Sequence, residues 1–190
     1  MRMFMSASFL ALLSSLASGA VIGEWDFNLY DGDAHRIKAS TGQGVVILGE
    51  EWTEKALSNP KGSAMNAGND RDAGQCLGLT GQGANGQFLE IKLPTSGAGP
   101  LEMDLAMRRS GTGYTTVNVF ASHNGGDTFR KITSWSPVEK WAKYEARLDS
   151  GSGSDLVLRL VVDGATSSRG GIRLDNLVIQ TAAGSAPQSE

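Results

Sequence analysis

Apolar and polar residues alternate along most of this chain, in short segments that are separated by turns. Every second residue is apolar in the clearest segments, which are 89–93, 101–107, 115–121, 142–148 and 156–162. Shorter segments of the same kind are 21–28, 44–48, 75–79, 128–133 and 171–179. A period of two is typical of strands with one buried face. The pattern predicts an all-β fold, a two-sheet antiparallel β-sandwich (jelly roll) of about ten strands.

The first 20 residues have the order of features found in a secretory signal peptide. Arg2 precedes an apolar stretch over 9–16, and small residues follow at 17–20. We therefore predict a signal peptide over 1–20, a β-sandwich domain over 21–180 and a disordered tail over 181–190. The apolar stretch is far below the roughly 20 residues that span a bilayer. A secreted, extracellular or periplasmic protein without a transmembrane segment is expected.

Charge and cysteine content exclude some partners and some ways of stabilising the fold. The chain has 17 Lys and Arg against 20 Asp and Glu, so we expect no binding to nucleic acid or to an anionic membrane. Cys76 is the only cysteine, so no disulfide can form within the chain even after export. We predict that Cys76 is a small core residue and that packing or a bound ion holds the fold together.

Several segments resemble the galactose-binding-like jelly rolls, the fold of many carbohydrate-binding modules. They are 141–148, 156–160 and 171–179, and residues 24–28 resemble the opening strand of that family. Residues 24–28 and 108–113 also resemble secreted bacterial proteins of unknown role that end in an exosortase (PEP-CTERM) sorting helix, which this sequence lacks. The first resemblance implies a glycan or a cell-surface component as the partner.

The last predicted strand changes phase in its middle. Ile172 and Leu174 share one parity, whereas Leu177 and Ile179 share the other. A one-residue slip of this kind predicts a β-bulge at residues 175–176.

A structural calcium ion is the cofactor that the resemblance implies. In the resembling modules such an ion often joins the first and last strands, and the matching positions here are Asp175, Asp26 and Asn28. Their carboxylate and amide oxygens are ligands that Ca²⁺ prefers. The alternative is that Asp175 only accepts hydrogen bonds from backbone N–H groups freed by the bulge.

Two short motifs suggest enzymes but are incomplete. Residues 122–129 resemble the Asp-box of sialidase propellers, but one copy cannot make a propeller, so we predict only a stabilised hairpin. Glu102 and Asp104 resemble the start of an endo-glucanase signature whose third acid is replaced by Ala106. A glycosidase needs two carboxylic acids in separate roles, so a cross-strand charge ladder on the surface is the preferred interpretation.

Sugar binding by a sandwich commonly requires an exposed aromatic ring beside polar groups. The candidate ligand-binding residues are Trp52, Tyr114, Trp135 and Arg108, whereas Trp25 and Trp141 are assigned to packing. The alternative for each aromatic residue is a place in the core. The sequence thus favours a non-catalytic module that binds carbohydrate or another cell-surface component. A structural envelope or matrix protein is one alternative, and a polysaccharide-active hydrolase or lyase is another.

Overall fold

A computed structural model describes residues 19–28, 35–49, 51–67, 72–95, 99–149 and 155–183. Within these ranges the chain forms thirteen β-strands and no α-helix. The strands are β1 (Val21–Trp25), β2 (Arg36–Lys38), β3 (Thr41–Gly42), β4 (Val45–Leu48), β5 (Leu57–Ser58), β6 (Leu77–Thr80), β7 (Phe88–Pro94), β8 (Leu101–Arg109), β9 (Thr116–Ser122), β10 (Arg130–Trp135), β11 (Ala142–Leu148), β12 (Asp155–Asp163) and β13 (Gly171–Thr181). Short 3₁₀ turns lie at Glu54–Ala56 and Gln82–Ala84. No helix in the described ranges is long and apolar enough to span a membrane.

The strands form two antiparallel sheets, which confirms the predicted sandwich. One sheet has seven strands, in the order β11-β8-β13-β1-β3, with β6 also paired to β13 and β5 paired to β6. The other sheet has six strands, in the order β10-β9-β12-β7-β4-β2. All ten segments predicted from the alternation contain strands. The strands beyond that number, β2, β3 and β5, have only two or three residues each, too few to show a period.

The core lies between the two sheets and is filled by alternate residues of each strand. Leu89, Ile91 and Leu93 of β7 point inward, whereas their neighbours Glu90 and Lys92 are at least partly exposed. The same alternation holds along most of the other long strands, and the buried side chains form one continuous cluster. The sequence pattern therefore determines which side chains remain on the outer faces, where a ligand could bind.

The last strand contains the predicted bulge. Its pairing with β8 changes register between Asp175 and Val178, and Asn176 has a φ of +45°. Along its other edge, β13 pairs with β6 before the bulge and with β1 after it. The bulge thus lies where β13 changes its partner from β6 to β1, and we call this place the three-strand junction. Loop residues 60–67 cover it.

The predicted domain boundaries are only partly within the described ranges. Residues 1–18 of the predicted signal and residues 184–190 of the predicted tail lie outside them. At the C-terminal end, Thr181 is still part of β13, and the Ala182 N–H donates to the Pro100 carbonyl. The last strand therefore continues one residue beyond the predicted domain limit of 180.

Candidate functional site

The first two aromatic residues predicted to contact sugar are buried in the core. Trp52 and Tyr114 are both 0% exposed, and their rings meet edge to face with centroids 6.5 Å apart. The Trp52 Nε1–H donates to the Phe88 carbonyl at 2.8 Å and the Tyr114 hydroxyl donates to the Gly81 carbonyl at 2.7 Å. Burial raises the pKa of Tyr114 to about 12. Since neither ring face is accessible, the prediction that these residues form a platform is wrong.

Trp135, the third aromatic residue predicted to contact sugar, is also buried. It is 7% exposed, it packs against Tyr144 with ring centroids 5.7 Å apart, and its Nε1–H donates to the Glu145 carbonyl at 3.2 Å. A backbone carbonyl accepts from the polar atom of each of these three aromatic residues, so burial costs no hydrogen bond and gains apolar contact. Trp135 therefore presents no ring to a sugar, and this prediction is also wrong.

The outer face of the six-stranded sheet has the partly exposed aromatic residues that the sequence analysis missed. The Arg159 guanidinium lies between two rings, 4.1 Å from the centroid of Phe88 and 3.9 Å from that of Phe129. Phe120 lies directly opposite Arg159 on β9, and all three phenylalanines are partly exposed. We call the surface formed by Phe88, Glu90, Phe120, Phe129 and Arg159 the Arg159 platform.

Glu90 fixes the position of the Arg159 side chain. It lies directly opposite Arg159 on β7, and its Oε1 accepts from Arg159 Nε at 3.1 Å and from Nη2 at 2.7 Å. The other carboxylate oxygen lies 3.5 Å from Lys92 Nζ. The guanidinium therefore has a charge partner on one edge and aromatic rings on its faces, while the N–H groups of Nη1 make no hydrogen bond within the described residues.

The hairpin of residues 122–129 brings Phe129 to this surface. Ser122 Oγ accepts from the Gly126 N–H at 2.9 Å, and Asn124 Oδ1 accepts from the Thr128 N–H at 3.1 Å. Gly125 and Gly126 have φ angles of +73° and +104°, which glycine adopts without strain. The predicted stabilised hairpin is confirmed. Its role is to hold one ring of the Arg159 platform.

A signal for this platform existed in the alternation of each strand. Phe88, Phe120 and Arg159 have the outward parity of strands whose inward positions are Leu, Ile, Val or Ala. The outward position of an aromatic residue indicates an exposed ring, whereas its identity as Trp or Tyr does not. The three strands are neighbours only in space, so sequence alone could not bring these residues together.

The paired carboxylates of β8 form the expected charge ladder. Glu102 lies 3.5 Å from Arg147 Nε, and Asp104 lies 3.3 Å from Lys143 Nζ, with both partners on β11. Burial raises the pKa of Asp104 despite the opposing effect of Lys143. A shallow depression of about 300 Å³ contains Asp104 and Glu24 on either side of Val178. Because Asp104 already has a cationic partner, this arrangement favours an ion-pair ladder over an acid–base pair.

Asp175 occupies the junction of three strands and is 1% exposed. Its Oδ2 accepts from the Ser63 N–H at 2.7 Å, and its Oδ1 accepts from its neighbour's N–H at 2.9 Å. The Asn176 amide donates to the carbonyls of Ser63 and Met65. Burial raises the pKa of Asp175 to about 6, and the charge of Asp26 also raises it against the effect of the two N–H donors. The arrangement thus includes the backbone hydrogen bonds expected at a bulge.

The residues of the predicted calcium site lie around this junction and fit a cation in part. Asp26 and Asp175 are close enough to affect each other's charge. The Asp26 Oδ1 accepts from Ser40 Oγ at 2.6 Å, and the Asn28 Oδ1 accepts from the Gln75 N–H at 2.6 Å. The Asn28 Oδ1 retains a lone pair, whereas the Asp26 Oδ1 also accepts from the Asn28 N–H at 3.1 Å. Ca²⁺ requires six to eight oxygens. No group of three or more Asp, Glu, His or Cys side chains that could hold a metal occurs among the described residues.

Arg108, the remaining predicted ligand residue, lies on the outer face of the seven-stranded sheet. It is partly exposed and lines a cleft of about 180 Å³.

Cys76 is buried, as predicted, and burial raises its pKa to about 12, so the thiol stays protonated and inert.

Comparison with known proteins finds solved structures with a similar fold. No family model matches the sequence, and no curated protein matches it. The xylan-binding domain CBM22-1 of Xyn10C from Paenibacillus barcinonensis is similar in structure, with a TM-score of 0.55 and 15% identity over 90% of this chain and 100% of that domain. The CBM22-1 and CBM22-2 tandem domain of the same Xyn10C has a TM-score of 0.49 and 17% identity, over 93% of this chain and 50% of that chain. The resemblance to carbohydrate-binding modules is therefore confirmed for the fold.

Proposed function

We propose that this protein is a secreted, non-catalytic carbohydrate-binding module, and that its glycan binds on the Arg159 platform. The observation that carries the proposal is the Arg159 guanidinium held between Phe88 and Phe129 and fixed by Glu90. A pyranose ring has an apolar face that packs on aromatic rings and hydroxyls that pair with charged groups. This surface offers both kinds of contact in a fixed geometry, so little ordering is needed on binding.

Two further features belong to this proposal. Export through the predicted signal at residues 1–20 would put the module where polysaccharides occur. A structural Ca²⁺ held by Asp26, Asn28 and Asp175 would neutralise two neighbouring carboxylates at the three-strand junction. The calcium would serve stability and would lie on the seven-stranded sheet, away from the platform.

The test is affinity gel electrophoresis with a panel of soluble neutral polysaccharides, with xylan included because the similar domain is named as xylan-binding. We expect at least one polysaccharide to retard the protein. Phe129→Ala and Phe88→Ala should each weaken binding roughly tenfold, as expected for the loss of one stacking contact. Val138→Ala removes an exposed apolar side chain elsewhere and is the control that should bind normally.

Two results would count against the proposal. If no polysaccharide retards the protein, a structural envelope or matrix role becomes the better interpretation. If a polysaccharide retards it but the platform variants and the Val138→Ala control migrate alike, the glycan binds elsewhere. Circular dichroism of each variant confirms that a loss of binding is not a loss of folding.

A further inference from the structure

Arginine residues are concentrated in the cleft on the outer face of the seven-stranded sheet. The cleft has a volume of about 180 Å³, and its lining includes Arg108, Arg109, Arg169, Arg173, Ser58 and Thr80. We call it the arginine cleft. Among the described residues, no acidic side chain is part of its lining, although the chain as a whole has a formal charge of −3. The positive charge is therefore local to this cleft.

Two of the arginines lie directly opposite each other on adjacent strands. Arg173 of β13 pairs with Arg108 of β8, and on its other side it pairs with Gly78 of β6. Side chains at opposed positions have Cβ atoms about 5 Å apart, and like charges there destabilise the sheet. Because Gly78 has no side chain, the Ser58 hydroxyl and the Pro60 ring lie over that position and form this side of the cleft. The sheet therefore holds two cations side by side in the lining of the cleft.

No acidic residue of the described chain neutralises these two arginines. Arg108, Arg169 and Arg173 form no ion pair with any residue in the described ranges. Arg109 differs, since its Nε donates to the Pro137 carbonyl at 3.0 Å and its Nη2 lies 3.9 Å from Glu139. The charge of Arg109 is thus paired, whereas the other three guanidiniums have N–H donors that are not used.

The acidic residue nearest to Arg173 along β13 uses its oxygens for other hydrogen bonds. Asp175 follows Arg173 on the outer face by two residues, but both of its oxygens accept from backbone N–H groups. Within the described residues, the only counter-charge at the cleft is therefore Glu139 beside Arg109, so the cleft is suited to an external anion.

The size and chemistry of the cleft restrict that anion. Pockets that enclose whole drug-sized ligands have about 300 to 1,000 Å³, so this cleft suits a single charged group. Guanidinium groups bind planar or tetrahedral oxyanions through paired N–H donors. The hydroxyls of Ser58 and Thr80 on the rim suit the neutral hydroxyls next to such a group on a sugar.

We propose that the arginine cleft binds a carboxylate or sulfate substituent of an acidic polysaccharide. The acids of the neighbouring β8 and β11, Glu102, Asp104 and Glu145, would tolerate one charged group but repel a dense polyanion such as nucleic acid. The cleft and the Arg159 platform lie on opposite sheets, so this second site is separate from the proposed neutral-glycan site.

The test measures binding of the intact protein to polygalacturonate and to dextran sulfate at 150 mM NaCl, with unmodified dextran as the uncharged reference. We expect one or both acidic polymers to bind and dextran not to bind. The double variant Arg108→Gln/Arg173→Gln should weaken binding at least tenfold. Arg36→Gln removes one exposed cation from an edge strand of the other sheet and should leave binding unchanged. Binding of only one acidic polymer would identify the substituent as carboxylate or as sulfate.

Three outcomes would overturn this proposal. They are failure of both acidic polymers to bind, equal weakening by Arg36→Gln and by the double variant, and binding of single-stranded DNA as tight as that of the polysaccharide. Thermal melting separates binding from folding, because removal of two opposed cations should not lower the melting temperature. Phe129→Ala should leave binding of the acidic polymer intact, so failure of the platform and failure of the cleft give different results.

Discussion

Arg159 and Arg173 occupy equivalent positions on the two sheets but have opposite surroundings. Each is an outward-facing residue in a strand with partners on both sides. Arg159 lies opposite Phe120 and Glu90, so its charge is paired and its faces are packed. Arg173 lies opposite Arg108 and Gly78, so its charge is repelled on one side and has only the uncharged Ser58 and Pro60, which lie over Gly78, on the other.

The difference shows that cross-strand neighbours, and not residue type, determine what an outward arginine does. With an acid and aromatic residues opposite, the guanidinium becomes part of a fixed surface that offers rings and a few donors. With a second arginine opposite, its donors stay available and the local potential is positive. The first arrangement suits a neutral sugar, whereas the second suits an anion.

The largest effect is expected at Asp175, whose hydrogen bonds keep it from neutralising Arg173. Asp175→Ala leaves the N–H groups of Ser63 and Asn176 without a buried acceptor. Each such loss costs about 1 to 3 kcal/mol, so we expect the free energy of unfolding to fall by about 3 kcal/mol. Urea denaturation measures this change. Asp175→Asn retains one acceptor and should lose less, and the exposed Asp155→Ala should lose almost nothing. Equal losses for all three variants would contradict this assignment.

The same residue should make stability depend on pH. In the folded protein the pKa of Asp175 is about 6, raised from the ordinary value of 3.8 mainly by burial. Folding therefore favours the protonated acid, so its contribution is complete below pH 4 and is lost as the pH rises through 6. The expected loss is on the order of 2 kcal/mol, and it should be absent in Asp175→Asn. Thermal melts between pH 4 and 7 measure it.

Calcium should flatten this pH dependence if the proposed ion binds. A cation between Asp26 and Asp175 would favour the charged carboxylates, so 5 mM Ca²⁺ should raise the melting temperature at pH 7 more than at pH 4. A chelator should reverse the effect. Melts that do not change with calcium or chelator at either pH would leave Asp175 with its backbone role alone.

The fold followed from the sequence because one face of each long strand is buried. Even the bulge at 175–176 was visible as a change of phase between Leu174 and Leu177, since a register slip moves every later side chain to the other face. The short strands β2, β3 and β5 were missed because two or three residues cannot display a period. Their formation depends on neighbours such as β4 and β6 that pair with them.

The candidate sites were predictable only in part, because they depend on strand order. Arg108 was identified from its own segment, but its partner Arg173 lies 65 positions later in the chain, and only the β8–β13 pairing brings them together. Residue type alone pointed to Trp52, Tyr114 and Trp135 as sugar-binding residues. A Trp or Tyr side chain is also well suited to the core when a backbone carbonyl accepts a hydrogen bond from its N–H or O–H group. The sequence does not show where such a carbonyl lies.

An intermediate effect is expected when Arg159 loses its charge partner. Glu90→Gln leaves a partly buried guanidinium opposite a neutral amide, and we expect a loss of about 1 to 2 kcal/mol in the free energy of unfolding. Glu102→Gln is the matched control, because Glu102 pairs with the exposed Arg147 and such surface pairs contribute little. Urea denaturation of both variants tests this, and equal losses would mean that the Arg159 platform is no more fixed than an ordinary surface ladder.

The smallest effect has the opposite sign and distinguishes the two arginines most directly. Arg173→Gln relieves the repulsion by Arg108, so we expect the free energy of unfolding to rise by about 0.5 kcal/mol, whereas Arg159→Gln should lower it. Screening by salt should reduce the gain, because the repulsion between exposed charges weakens as the ionic strength rises. Melting of both variants at 20 and 500 mM NaCl measures this. A loss of stability in Arg173→Gln would show that its guanidinium has a stabilising partner, and the cleft would then need no external anion.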